Sequence, residues 1–263
     1  MARRGKAGCY GVLAVFALGG AVDVHAAAET VAWQWEFDPN DQPYPAYVAD
    51  PRRPRMQVAA GLIDSTIAET SAARIVLDAG TRYTLFRAID PSGNEWSIDM
   101  EGGLFTQFDA GNSLDAVGWD GVYGLFGVYD WHDTIALRVG YKHLSAHLGD
   151  EYIESTGRKR VGYTRDALAV GVAWTWKQNW QSYVEPSWAF GMGNEKRQQR
   201  AALEGGVQYQ GGFEHWGRRA AFYGGLHVRS FAETDWEPGV SLQLGYLVKR
   251  DASSTDVRLS LEL

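Results

Sequence analysis

The sequence predicts an all-β chain folded as a single antiparallel up-and-down β-barrel of about 10–12 strands, of the outer-membrane type. Three observations predict it. A leader of secretory form precedes the rest of the chain. Beyond it, segments of about ten residues alternate apolar with polar or small side chains up to the last position. The face opposite the apolar one carries glycine, alanine and isolated charges, as a narrow polar lumen requires.

In the leader, Arg3, Arg4 and Lys6 precede an apolar run from Tyr10 to Val22, followed by His25-Ala26-Ala27-Ala28. This order of charged, apolar and small residues is that of a secretory signal peptide, with cleavage expected near Ala26. The run is shorter than the ~20 apolar residues of a spanning helix. Cys9 lies too early for a lipoprotein cysteine, because Lys6 sits just upstream. The mature chain then has no cysteine, so an exported fold rests on backbone pairing or a large core rather than on disulfides. We expect residues 1–26 to be the signal peptide, 27–54 an extended segment rich in proline and aromatics, and 55–263 the barrel. A net charge of −7 argues against nucleic acid as a partner. No later stretch offers a transmembrane helix, so insertion would be by strands.

The alternation is clearest from Arg74, where Ile75, Leu77, Ala79, Tyr83 and Leu85 share one face and Arg74, Asp78, Arg82 and Thr84 the other. It recurs in Leu168, Val170, Val172, Trp174 and Trp176, in Val240 to Val248, and in Val257, Leu259, Leu261 and Leu263. Period two alone does not choose between an apolar interior and an apolar exterior. Arg138, Glu185, Glu204, His227 and Arg229, set among small residues, favour a charged interior. Trp174, Trp176, Trp180, Trp188 and Phe190 near strand ends fit interfacial girdles. Tight turns fall near Asp130–Asp133 and Lys177–Asn179, and the polar connection from Leu148 to Arg160 is expected outside. Counting on from there leaves the last strand running outward, against the usual arrangement of such barrels.

The strand before that connection reads Tyr141-Lys142-His143-Leu144-Ser145-Ala146-His147. Period two puts His143, Ser145 and His147 on the apolar, lipid-facing side, where polar groups need a reason. Thr164 and Asp166 on the next strand have the parity of Leu168 and Val170, which is the same face. A serine becomes a nucleophile when a histidine takes its proton and a carboxylate orients that histidine. The candidate catalytic set is therefore His143, Ser145 and Asp166, with His147 as the alternative base. The plainer reading is that these groups satisfy backbone where a strand meets a loop. His143 and His147 with Asp150 or Glu151 are also of the types that ligate Zn²⁺. Arg165 and the run Arg158-Lys159-Arg160 are candidates for binding anionic head groups of lipid or lipopolysaccharide. Tyr223, His227 and Arg229 share the polar face and read as a lumen network.

The stretches Tyr44-Pro45-Ala46-Tyr47-Val48-Ala49-Asp50-Pro51-Arg52-Arg53-Pro54, His143 to Tyr152 and Tyr163-Thr164-Arg165-Asp166 resemble domain-of-unknown-function family twelve-zero-seven, a family of bacterial envelope proteins. That resemblance implies no activity. More distantly, Tyr141-Lys142-His143-Leu144-Ser145 is similar to the His-x-Ser of outer-membrane phospholipase A and of lipid A deacylase, barrel enzymes whose active residues face lipid. The similarity implies His143 as base and Ser145 as nucleophile, and for the phospholipase also calcium and dimerisation, for which no residue here speaks. This chain departs from the phospholipase in placing Asp166, not asparagine, on the adjoining strand, and in adding His147.

The first functional reading is an outer-membrane barrel with a structural, binding or transport role in the envelope. The alternatives are a serine-type lipid acyl hydrolase on the outer wall, and a soluble periplasmic barrel holding an apolar ligand.

Overall fold

The computed structural model describes residues 32–39, 41–64, 70–160, 162–193, 198–215, 218–248 and 257–263. The expected signal peptide, with Cys9, lies outside them. The strands are β1 (Gln34–Phe37), β2 (Gln57–Leu62), β3 (Ala73–Ile89), β4 (Glu95–Asp109), β5 (Asp115–Trp131), β6 (Ile135–Leu148), β7 (Gly162–Lys177), β8 (Trp180–Met192), β9 (Ala201–His215), β10 (Arg218–Phe231), β11 (Gly239–Val248) and β12 (Val257–Glu262). They form one antiparallel sheet in which, from β3 onward, each strand pairs with the next. This is the up-and-down barrel topology expected from the alternation.

Both β1 and β2 pair with β3, β1 along residues 86–89 and β2 along 73–78. They share one edge position, divided between two short strands. The chain between them turns inward. Its prolines remove donors and hold it extended, so it does not join the sheet as a strand. Arg82 of β3 donates to the Tyr44 carbonyl at 2.9 Å, and Arg52 bonds Asp120 of β5 at 2.6 Å. The Tyr47 hydroxyl donates to Glu185 of β8 at 3.0 Å, and Gln208 of β9 donates to the Ala46 carbonyl and accepts from the Val48 amide. Arg229 of β10 donates to Asp50 at 2.9 Å. A segment reached from β3, β5, β8, β9 and β10 at once has the sheet wrapped around it. Among the described residues no backbone pairing joins β12 to β1 or β2. Arg55 bridges the seam by donating to Asp78 of β3 at 2.9 Å and to Glu262 of β12 at 3.2 Å.

The lumen is thus filled by this chain's own residues and lined with charge. Arg138 of β6 donates to Glu185 at 2.5 Å, and its guanidinium lies 4.6, 4.9 and 4.5 Å from the rings of Tyr44, Tyr47 and Phe126. Lys142 donates to Glu185 at 2.9 Å and also bonds Glu204. The ring of Tyr47 stacks on Tyr183 at 3.7 Å. Burial pushes the Tyr44 hydroxyl up to about 12, so it stays neutral and available to bond Tyr47. Small residues on the inner face make room for the segment. A Cβ at Gly171 would lie 2.5 Å from the Tyr44 hydroxyl, and one at Gly225 would lie 2.7 Å from Val48.

Outward, the wall is apolar. Leu125, Leu137, Val139, Leu168, Val170, Val184 and Leu244 are all exposed. Aromatic contacts gather at two levels. At the end with the short hairpins are Trp35 with Phe86, Trp96 with Tyr129, Trp176 with Trp180, and Phe222 with Tyr246. Toward the other end are Trp119 with His147, Tyr123 with His143, and Tyr141 with Phe190. The outward face is thus apolar, while the interior is charged and occupied by the chain around Tyr44 to Arg53.

Two expectations change in detail. The segment at 27–54 is not merely extended, because it contributes β1 and much of the lumen filling. The connection after β6 contains a short helix, α1 (Asp150–Thr156), closed by Gly157 in the left-handed region at φ 66°. Its local turn of hydrogen bonds leaves no signal at strand period. The last strand does run toward the end that carries α1, as the turn count implied.

Two predictions follow from the interior. Glu185→Ala leaves Arg138, Lys142 and Tyr47 without their shared acceptor and should cost roughly 3–5 kcal/mol, measured by chemical denaturation. Burial alone would raise the Asp50 pKa, but Arg229, with His227 and Lys142, outweighs it and holds the carboxyl well below the usual carboxylate range. A depressed pKa stabilises the fold above the unfolded value of about 3.9 and that contribution is lost as pH falls below it. Hydrogen-exchange protection of residues 44–54 should therefore drop as the pH goes below about 4, and Asp50→Asn should remove that dependence.

Candidate functional site

The outward face of β5 to β8 near the α1 end gathers the polar groups that the sequence placed there. Register sets His143 opposite Asp166 and Tyr123, and Ser145 opposite Thr164 and Gly121. His143 Nδ1 lies 2.8 Å from Asp166 Oδ1. A carboxylate only accepts, so with Asp166 ionised the proton sits on Nδ1 and Nε2 is left with its lone pair, with no hydrogen bond to it among the described residues. Tyr141, two residues before His143 on the same face, donates to the same carboxylate oxygen at 2.5 Å. The Tyr123 hydroxyl lies 3.2 Å from that of Tyr141. The Tyr123 ring stacks on the imidazole at 4.4 Å and fixes its plane.

Sequence features at the neighbouring positions open the space these groups need. Asp166 stands at a register shift where β8 carries an extra residue, Phe190, opposite the step from Asp166 to Ala167. Such irregularities re-aim side chains. A Cβ at Gly191 would lie 2.7 Å from Asp166 Oδ2, and one at Gly121 would lie 3.0 Å from Ser145 Oγ. Both side chains occupy hollows left by glycine. Ser145 is 9 % exposed, and its Oγ faces the Gly121 carbonyl at 3.5 Å, at the limit of a hydrogen bond. Ser145 and His143 are not hydrogen-bonded to each other. Two members of the candidate set are thus in contact and the third is their neighbour on the same face. Attack would require the Ser145 hydroxyl to turn from Gly121 to His143 Nε2.

The other sequence candidates fare differently. His147 stacks on Trp119 at 4.2 Å and has no bond to Asp166, so the base beside the carboxylate is His143. Asp150 pairs with Arg160, and His143 is held by Asp166, so the proposed metal set of His143, His147 and Asp150 or Glu151 is not assembled. Arg165 is a correction. Its parity is opposite to that of Asp166, so its side chain points inward and is buried, donating to the Gln199 and Arg200 carbonyls with Glu233 at 3.7 Å. It is not placed to meet a lipid head group. Arg158, Lys159 and Arg160 remain exposed after α1.

Tyr141 and Tyr123 went unassigned from sequence, although Tyr141 shares the parity of His143 and could have been included on that ground. Asp50 was also missed as a lumen group, since nothing local joins it to β9 and β10. Among the described residues, Asp50, Glu204 and His227 form the one cluster whose ligand-type atoms all lie within 4.8 Å of one another. Arg229 already binds both carboxylates at 2.9 and 2.7 Å and Lys142 holds Glu204, so a cation would have to displace charged donors. Calcium, implied by the phospholipase resemblance, needs several oxygen ligands. Beside Ser145 stand the Gly121 carbonyl and Thr164, while Asp166 is engaged by His143 and Tyr141; this set does not fit the ion.

Gly191→Ala should push the Asp166 carboxylate off His143 without altering either residue. The nitrogen NMR signal of His143 Nδ1 should then lose its carboxylate-bonded shift, whereas Gly212→Ala, which meets only the Ala220 carbonyl oxygen at 3.9 Å, should leave it unchanged. No protein-family model, no curated protein and no solved structure matches this chain.

Proposed function

We propose that this protein is a bacterial outer-membrane barrel that hydrolyses acyl esters of membrane lipid at its outer wall. The observation that carries the reading is the His143–Asp166 pair on an otherwise apolar outward face, two residues from Ser145 and with Nε2 free. Polar groups facing hydrocarbon are costly, and a site for a lipid ester gives these a use. The membrane location is supported by the aliphatic exterior between two levels of aromatic rings. The secretory leader fits the same reading. The site lies toward the end with α1 and the longer connections, the side usually external in such barrels.

In the reaction, Ser145 Oγ attacks the acyl carbonyl as His143 Nε2 takes the hydroxyl proton, and Asp166 stabilises the imidazolium through Nδ1. The tetrahedral centre collapses by breaking the ester C–O bond, and the imidazolium gives its proton to the leaving alcohol. Water, deprotonated by His143, then attacks the acyl-serine, releasing fatty acid and restoring Ser145. Tyr141 and Tyr123 are positioning residues that hold Asp166 and the imidazole plane. The exposed Arg158, Lys159 and Arg160 supply positive charge at the same end for phosphate-bearing lipid or lipopolysaccharide.

The test is fatty-acid release from phospholipid and from lipid A by the refolded full chain, with calcium supplied. Ser145→Ala or His143→Ala should each lower release by at least about a thousandfold at matched folding. Asp166→Asn should retain more activity than either. Release unchanged by Ser145→Ala, or none from the unaltered protein, would leave an envelope barrel with a structural, binding or transport role.

A further inference from the structure

Inside the barrel, beside the segment that fills it, lies a cavity of about 750 Å³ that includes open solvent. Its charged lining is unbalanced. Asp50, Glu101, Glu185 and Glu204 face a larger number of cations, and nearly every one of these has an acidic partner. Arg52 pairs with Asp120, Arg82 with Glu101, Arg165 with Glu233 and Arg229 with Asp50. Arg53 is different. Among the described residues no carboxylate lies within ion-pair distance of it, and its side chain makes no hydrogen bond, although it is only 7 % exposed. Its Nη1 is fully buried and has no acceptor among the described residues.

The surroundings relieve this imbalance only in part. Burial, together with the positive charges of Arg258 and Arg55, outweighs the weaker attraction of Tyr223 and Asp50 and pulls the Arg53 pKa down to about 9. Arg55 is engaged by Asp78 and Glu262, and Arg258 lies over the Tyr223 ring at 5.4 Å. A buried guanidinium without a partner is strongly unfavourable, and folded chains place one where something else supplies the negative charge. The turn from Asp50 to Arg53, closed by the Arg53 amide on the Asp50 carbonyl at 3.1 Å, holds it in place. A guanidinium offers a planar fork of donors matched to the paired oxygens of phosphate and carboxylate.

We infer that Arg53 is the anchor of an oxyanion-binding site in the lumen, accommodating a small solute through a phosphate or carboxylate group. The bound anion accepts from the part of the guanidinium that lines the cavity and offsets the charge of Arg258 nearby. The site faces the interior and is independent of the outer-wall chemistry at Ser145.

The experiment uses the full chain in a non-ionic detergent and measures equilibrium binding of inorganic phosphate and of succinate, with sodium chloride at matched ionic strength as background. Saturable binding of one anion near one per chain is expected, with a parallel rise in melting temperature. Arg53→Met should weaken it on the order of ten- to a hundredfold, while Arg53→Lys, keeping charge but losing the fork, should fall between. Preference for phosphate or for succinate identifies the group. Absence of saturable binding of both by the unaltered protein, or equal binding by Arg53→Met, would overturn the inference, and neither result bears on lipid hydrolysis.

Discussion

The structure depends on the carboxylate of Glu185 inside the barrel. It accepts from Arg138, Lys142 and Tyr47 at once, and so ties β6 and β8 to the inserted segment. Each of these groups would be unfavourable alone in a buried place, and together they neutralise one another. The aromatic faces of Tyr44, Tyr47 and Phe126 around Arg138 exclude water from the pair. The segment therefore acts as a second core, polar where an ordinary domain core is apolar. Wide inner spacing, made by glycine and alanine on the strands, is the condition for it.

The same strands carry the outer site, because period two assigns alternate residues to the two sides. On β6, Arg138 and Lys142 are fixed within the lumen while Tyr141, His143 and Ser145 stand outside. On β7, Arg165 is spent on the Gln199 and Arg200 carbonyls while its neighbour Asp166 faces out. Ion pairs on the inner side thus hold rigid the backbone that presents the histidine–aspartate pair. A site built on paired strands is placed more accurately than one on loops. The remaining freedom lies in the Ser145 hydroxyl, which has a hollow beside Gly121 and a weak carbonyl partner.

Much of the wall was legible locally. Alternation separated Leu168, Val170 and Val172 from Ala167, Ala169 and Ala173, and the same parity put His143, Ser145 and Asp166 on one side. Charges at Arg138, Glu185, Glu204 and His227 were rightly read as inward. Where the reading failed, a local rule was not carried through or did not exist. Arg165, a head-group candidate by its place at the rim, shares the parity of Ala167, which already points inward. The α1 turn at Asp150–Thr156 lies in a stretch too short to show a helical period against a strand background.

By itself the sequence determined which side of the wall each strand residue faces and the kind of chemistry that side can bear, because side-chain direction follows from backbone alternation alone. Tertiary structure decided what fills the lumen and which groups touch. Tyr47 meets Glu185 across 138 positions and Asp50 meets Arg229 across 179, separations at which no sequence period operates. The contact of His143 with Asp166 was likewise set by strand register. Register depends on the pairing of whole strands and on where the glycines let them approach, so it appears only once the sheet is formed.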